Sequence, residues 1–239
     1  MNTIIDFFLE PYRTAPTHLI LLEFIAMVFG IASVLYAKKE NKLVFLTGFI
    51  STSIYIYILY YWEIFGDLVI NIYYTIMSVY GWYMWNKLVN NKKEHIPISR
   101  TNTKEKLTAL GIFILAAIFV IFIYRYNNVM PNHLTFTESL NYAITNLTDG
   151  SIENFRLAVP FIDTFTTATA FVAMWLMTQK KIENWTFWIG TNILSIPLYF
   201  VKGLGFTGIQ FIIFLILAIQ GYKAWKKSLD NRAEPTLLK

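Results

Sequence analysis

The chain predicts an all-α integral membrane protein, with seven transmembrane helices in a 3+1+3 arrangement of two parallel repeats. Three observations carry this. The 239 residues are 56% hydrophobic and only 15% charged, where a soluble domain carries about a quarter charged residues. Two stretches resemble each other about 140 residues apart: Glu23 to Lys87, ending Gly81-Trp82-Tyr83-Met84-Trp85-Asn86-Lys87, and Asp163 to Lys227, ending Gly221-Tyr222-Lys223-Ala224-Trp225-Lys226-Lys227. Each copy holds three membrane-length apolar segments, and one spare segment lies between them. Two odd-numbered units joined by one crossing helix enter the membrane in the same sense, an architecture that recurs in secondary transporters.

A crossing helix needs roughly 20 mostly apolar residues. Segments 19–37, 43–61, 66–86, 107–126, 161–179, 185–202 and 205–225 meet that need. Lipid leaves no partner for free backbone groups, so these segments are helices. The chain then divides into an external or interfacial segment (1–18), a first repeat (19–87), a linker with the fourth helix and an external loop (88–160), a second repeat (161–227) and a tail (228–239). Met1 to Leu9 lack the charged start and cleavage site of a signal peptide and read as an interfacial piece. Residues 137–147 suit a short surface helix in a connector. Of the 20 Lys and Arg, 16 fall on one side of the seven spans; Arg13, Arg125, Arg156 and Lys202 fall on the other. The positive-inside rule puts the crowded side, with the C-terminus, in the cytoplasm and the N-terminus outside. That rule accounts for the basic face, so no nucleic-acid partner is inferred. Cysteine is absent, which excludes disulfides and thiolate chemistry. No Walker motif, nucleophile elbow or metal-ligand spacing occurs, so no catalytic residue, cofactor or metal is expected.

Function should reside in polar groups within the spans. In the sixth segment, Trp185, Trp188, Asn192, Ser195 and Tyr199 share about 80° of helical arc. An amide in lipid needs partners, so this stripe turns inward, either as inter-helix glue or as a ligand wall. The indoles beside Asn192 favour the wall. Pro197 lies on the same helix and, with Gly203-Leu204-Gly205, is a candidate hinge. Asn71 and Tyr74 form a comparable face on the third segment with Asp67, Ser78 and Trp82. Gln210 enters the seventh segment without a structural reason for an amide, and Tyr55 on the second is the remaining candidate. Glu23 and Asp163 hold matching places at helix starts, and Asp67 reads as a helix N-terminal acid. All three are expected at the water boundary, because an acid at bilayer centre costs about 2.5–3.5 kcal/mol. Without buried acids a proton-driven pump is disfavoured. A pocket of rings and amides suits a flat, polar, uncharged or cationic solute: aromatic faces attract a delocalised cation, and amides both donate and accept hydrogen bonds.

The motif Trp185-x-x-Trp188-x-x-x-Asn192, followed by Tyr199 and Gln210, resembles the PnuC family of bacterial vitamin transporters, as do the 3+1+3 layout and the Gly-aromatic-x-x-Trp endings. The resemblance spans roughly residues 19–227. It implies a SWEET-like fold, a homotrimer in the bacterial inner membrane, and uptake of nicotinamide riboside, an NAD precursor, by facilitated diffusion with metabolic trapping. Thiamine, riboflavin or a sugar are alternative cargoes of the same fold. A seven-helix photosensor would need a buried lysine in the last helix, whereas Lys202 lies at the end of the sixth; a membrane enzyme would need a paired acid, metal triad or nucleophile–base set, and none is evident.

Overall fold

The computed structural model describes residues 13, 15–89, 94–202 and 205–233. The expected interfacial piece at Met1–Leu9, the Gly203-Leu204 part of the expected hinge and the tail from residue 234 lie outside the described residues. Eight helices are present among them: α1 (Thr17–Lys38), α2 (Leu43–Tyr61), α3 (Phe65–Asn86), α4 (Thr103–Tyr126), α5 (Phe136–Thr148), α6 (Ile152–Thr178), α7 (Asn184–Val201) and α8 (Gly205–Ala233). A short antiparallel ribbon, β1 (Leu88–Val89) with β2 (Glu94–His95), sits in the linker between the first repeat and the fourth helix. Five helices, α1, α2, α4, α6 and α8, are long and apolar enough to cross a membrane. α3 and α7 have 22 and 18 residues but carry the polar stripes.

Helix ends follow local chemistry. Asn102 and Glu105 form a capping box that starts α4 four residues before the expected span. Thr135 and Glu138 form another at the start of α5. α6 starts at Ile152, nine residues before the expected 161, because Ser151 caps it and the helix runs through Pro160. Proline removes one donor, and the cost is tolerable where neighbouring groups satisfy the freed carbonyl.

Helix contacts form a closed ring. α1 packs on α2, α2 on α3, α3 on α6, α6 on α7, α7 on α8, and α8 returns to α1. α4 lies outside this ring against α6, and α5 packs on the start of α6. Large apolar side chains point outward from α1, α4 and other helices, among them Phe24, Leu115 and Phe122. Contiguous exposed apolar surface of this kind belongs against a membrane.

The two repeats are tied to each other by equivalent contacts. Trp85 and Trp225 are 140 residues apart (85 and 225), as are Ala37 and Met177. Trp85 Nε1 donates to the Met177 carbonyl at 3.2 Å, and Trp225 Nε1 donates to the Ala37 carbonyl at 3.0 Å. Each indole thus closes the last turn of the other repeat's first helix. Each indole also meets a ring edge-on within its own repeat: Phe45–Trp85 at 5.0 Å and Trp185–Trp225 at 5.5 Å. The glycines of the repeated endings explain themselves here, since a Cβ on Gly81 would overlap Phe45 and one on Gly221 would overlap Trp185. Glu40 and Lys180, another equivalent pair, leave their helices in the left-handed conformation (φ 54° and 51°) and face each other at 3.7 Å. The largest core cluster gathers these rings at this end of the ring of helices.

Candidate functional site

The six ring helices enclose a cavity of about 240 Å³, to which α4 and α5 contribute nothing. Pockets for drug-sized ligands run to about 300–1,000 Å³, so this one suits a small metabolite. All eight residues singled out in the sequence line it: Tyr55, Asn71, Tyr74, Trp185, Trp188, Asn192, Tyr199 and Gln210. The α7 stripe faces inward, with Asn192 and Ser195 buried, while Ile193 and Leu194 point outward. Trp188 lies 5.9 Å from Tyr74 across the α3–α7 gap, with the rings tilted at 56°. Tyr55 Oη donates to Gln210 Oε1 at 2.9 Å, joining α2 of one repeat to α8 of the other. Trp185 sits deeper than a simple wall residue, only 1% exposed in the aromatic core. Its Nε1 and Thr191 Oγ1 find no hydrogen-bond partner among the described residues, and both residues line the cavity. Buried polar atoms of that kind are normally satisfied, and these two are enclosed in the wall of the cavity. Asn71 is partly committed, donating through Nδ2 to the Asp67 carbonyl at 2.8 Å.

The placement of the acids corrects the sequence reading. Glu23, Asp67 and Asp163 are not at the water boundary; they are buried and line the cavity. Asp67 is not a simple helix N-terminal acid. Lys202, just past the end of α7, reaches Asp67 Oδ2 at 3.0 Å and Asp163 Oδ1 at 3.1 Å. Tyr199 Oη donates to Asp67, and Tyr124 Oη from α4 donates to Asp163. Glu23 accepts from Thr207 Oγ1 at 3.3 Å across the α1–α8 seam. Removing an ion from water costs several kcal/mol unless its lone pairs and protons are all met. Here one ammonium and two hydroxyls meet the two aspartates, which makes the burial tolerable. The expected absence of deep charge therefore fails, and with it the argument against proton coupling that rested on it. The signal was present in the sequence: Lys202 lies one turn beyond Tyr199 on the stripe already singled out.

The lining carries three carboxylates and, among the described residues, no Lys, Arg or His. Lys202 neutralises part of that charge from behind the wall. The cavity is thus aromatic, amide-bearing and negative. It can stack a flat ring, attract a delocalised cation and exchange hydrogen bonds with amide or hydroxyl groups.

A closed ring of helices, most of them apolar enough for a membrane, around one polar and aromatic hollow defines a membrane protein that takes a small solute into its interior. The comparisons with known proteins agree. Residues 20–227 match the model of the nicotinamide mononucleotide transporter family, and the chain belongs to that family. It is 23% identical over 217 residues to the nicotinamide riboside transporter PnuC of Escherichia coli (strain K12), covering 90% of this chain and 89% of that one. It is 25% identical over 216 residues to the PnuC of Neisseria mucosa, covering 87% and 73%. Its fold matches a crystal structure of the vitamin B3 transporter PnuC with a TM-score of 0.62 at 24% identity, covering 88% of this chain and 83% of that one.

Proposed function

We propose that this protein carries nicotinamide riboside across a bacterial inner membrane by facilitated diffusion, with trapping by later metabolism. The observation that carries the proposal is a ring-and-amide cavity lined by acids and by no base among the described residues. Nicotinamide riboside is a pyridinium cation bearing a carboxamide and a ribose. Its ring suits the aromatic faces of Trp188 and Tyr74, and its amide and hydroxyls suit Asn192 and Gln210. The same lining argues for the riboside over the mononucleotide, whose phosphate would face Asp67 and Asp163 while the nearby Lys202 ammonium is already engaged by both carboxylates. The cargo named for the E. coli and N. mucosa relatives agrees. The test is a proteoliposome assay with labelled nicotinamide riboside. Equilibration without any gradient, and no competition from the mononucleotide, is expected. A requirement for a proton gradient would remove the facilitated-diffusion reading. Equal competition by the mononucleotide would remove the charge argument.

The helix ring supports a seven-span, 3+1+3, SWEET-like reading in which α3 and α7 also cross the bilayer and α4 serves as the crossing link. We place the basic end, with the C-terminus, in the cytoplasm and the N-terminus outside. Alternating access then means parting the seams between repeats, α3–α6 and α1–α8. At the cytoplasmic end Trp85 and Trp225 hold those seams; at the outer end Asp67, Lys202 and Asp163 clasp the first, with Pro197 on α7 as the bend. Cysteine labelling of the loops from one side of vesicles tests the orientation. Native mass spectrometry tests the homotrimer that the family resemblance implies.

A further inference from the structure

α5 differs from the seven long helices. None of its 13 residues is buried, and at about 1.5 Å per residue it is some 20 Å long, short of the roughly 30 Å hydrocarbon core. Its side chains nevertheless sort into three faces. Ser139, Tyr142, Ala143 and Asn146 are half-buried, and Tyr142 meets Phe161 of α6 at 5.9 Å. Thr137, Glu138, Asn141, Thr145 and Thr148 are exposed and polar. Between them run Phe136, Leu140, Ile144 and Leu147, within about 80° of arc. These four are 80%, 51%, 50% and 47% exposed. The three face centres stand roughly 105–145° apart, one toward protein, one polar and one apolar with no protein against it.

We propose that α5 lies in the plane of the membrane, with this apolar stripe seated in the boundary between headgroups and acyl chains. Three observations favour lipid as the occupant. α5 is pinned to the end of α4, a helix apolar enough to cross a membrane: Arg125, in the last turn of α4, donates through Nη2 to the Leu134 carbonyl at 2.9 Å and to Ser139 Oγ at 3.4 Å. The exposed rings of Phe122 and Tyr126 on that turn continue the outward apolar surface of α4 toward α5, and tyrosine favours the interfacial belt. Arg156, exposed on the first turns of α6, lines the hollow beside Tyr142 and Pro160, where its charge complements a lipid phosphate. A second copy of the chain fits less well, because four side chains offer a few hundred Å², below the roughly 800 Å² per partner of a stable interface. An in-plane helix with one apolar face and one polar face is the arrangement that an interface between water and lipid stabilises.

The chain has no cysteine, so each introduced thiol is the single labelling site. Full-length Leu140→Cys and Ile144→Cys, and the polar-face controls Asn141→Cys and Thr145→Cys, would carry a bimane label in phosphatidylethanolamine/phosphatidylglycerol vesicles. Lipids with a spin label at acyl position 5 should quench the labels at 140 and 144 several-fold more than lipids labelled at position 12. Aqueous iodide should quench the labels at 141 and 145 several-fold more than those at 140 and 144. Equal iodide quenching at all four sites would overturn the proposal in favour of a water-exposed helix. Protection at 140 and 144 from both quenchers, with disulfide-linked protomers after oxidation, would overturn it in favour of a contact between copies.

Discussion

Lys202 offers the sharpest perturbation of the site. Its ammonium lies 3.0 Å from Asp67 and 3.1 Å from Asp163, so those carboxylate oxygens stand at most 6.1 Å apart. Lys202→Met keeps the apolar stem and removes the charge. Two carboxylates at that separation repel by about 3 kcal/mol at an effective dielectric constant near 20, and the loss of a buried partner typically costs about 3–5 kcal/mol. The repulsion falls on the α3–α6 seam, because Asp67 belongs to the first repeat and Asp163 to the second. At roughly 2–4 °C per kcal/mol for a chain of this length, the melting temperature in detergent should fall by about 6–20 °C. Adding Asp67→Asn removes one of the two charges and should return most of that loss. Differential scanning fluorimetry of the wild type, the single variant and the double variant measures both effects. If Lys202→Met melts with the wild type, or if the double variant is no more stable than the single, the clasp does not bear charge in the way the distances require.

Asn192→Leu keeps the volume at a buried, cavity-lining position and removes the amide. Calorimetric titration with nicotinamide riboside should show affinity lower by about 5–150-fold, the equivalent of about 1–3 kcal/mol for an unmet hydrogen bond, with little change in melting temperature. Trp85→Phe and Trp225→Phe each remove one indole donation to a helix-end carbonyl, costing about 0.5–1.5 kcal/mol. The two melting shifts should be equal in size, and the double variant should depart from their sum because the rings lie 6.2 Å apart. At the start of α5, the Thr135 backbone N–H and hydroxyl hold the Glu138 carboxyl below its usual range. A lowered carboxyl stabilises the cap above the ordinary pKa of about 4.3 and loses that effect as pH falls through its own lower value. Hydrogen exchange in the first turn of α5 should therefore quicken, beyond the intrinsic trend, on acidification below that range. Glu138→Gln, which retains a neutral capping partner, should abolish the step.

Helix positions and the inward stripe were legible because each has a local signature. Apolar runs mark the long helices, and the spacing Trp185, Trp188, Asn192 fixes one face whatever surrounds it. The expected segments missed the first turns of α4 and α6, since Thr103–Lys106 and Ile152–Pro160 hold polar or charged residues that an apolar window rejects, yet caps at Asn102 and Ser151 start both helices there. The acids were misplaced for a different reason. Asp67 lies on α3, Asp163 on α6 and Lys202 just past the end of α7, and no spacing within one helix reveals that their charges meet. A carboxylate near a helix start looks interfacial until its partner is known. The half-occupied ends of the spans, where a chain rule assumes water, are where partners 39 to 135 residues away supply what water would.

The duplication itself explains why such a cavity can be selective. At the 140-residue offset each of the eight candidate residues has an equivalent, and every equivalent also lines the cavity. Trp188 corresponds to Gly48, Asn192 to Thr52, Gln210 to Ile70, and Tyr199 to Leu59. The positions that hold the repeats together have stayed alike, Trp85 with Trp225 and Gly81 with Gly221, whereas those facing the hollow have diverged in size and polarity. A wall with an indole on one side and no side chain at the matching place leaves a slot for one flat ring. Asn192 and Gln210 of the second repeat stand opposite Thr52 and Ile70 of the first and give that slot a polar end. Two-fold packing supplies the two seams between the repeats, α3–α6 and α1–α8. Loss of two-fold chemistry lets the hollow distinguish the two ends of a solute that is a charged ring at one end and a sugar at the other.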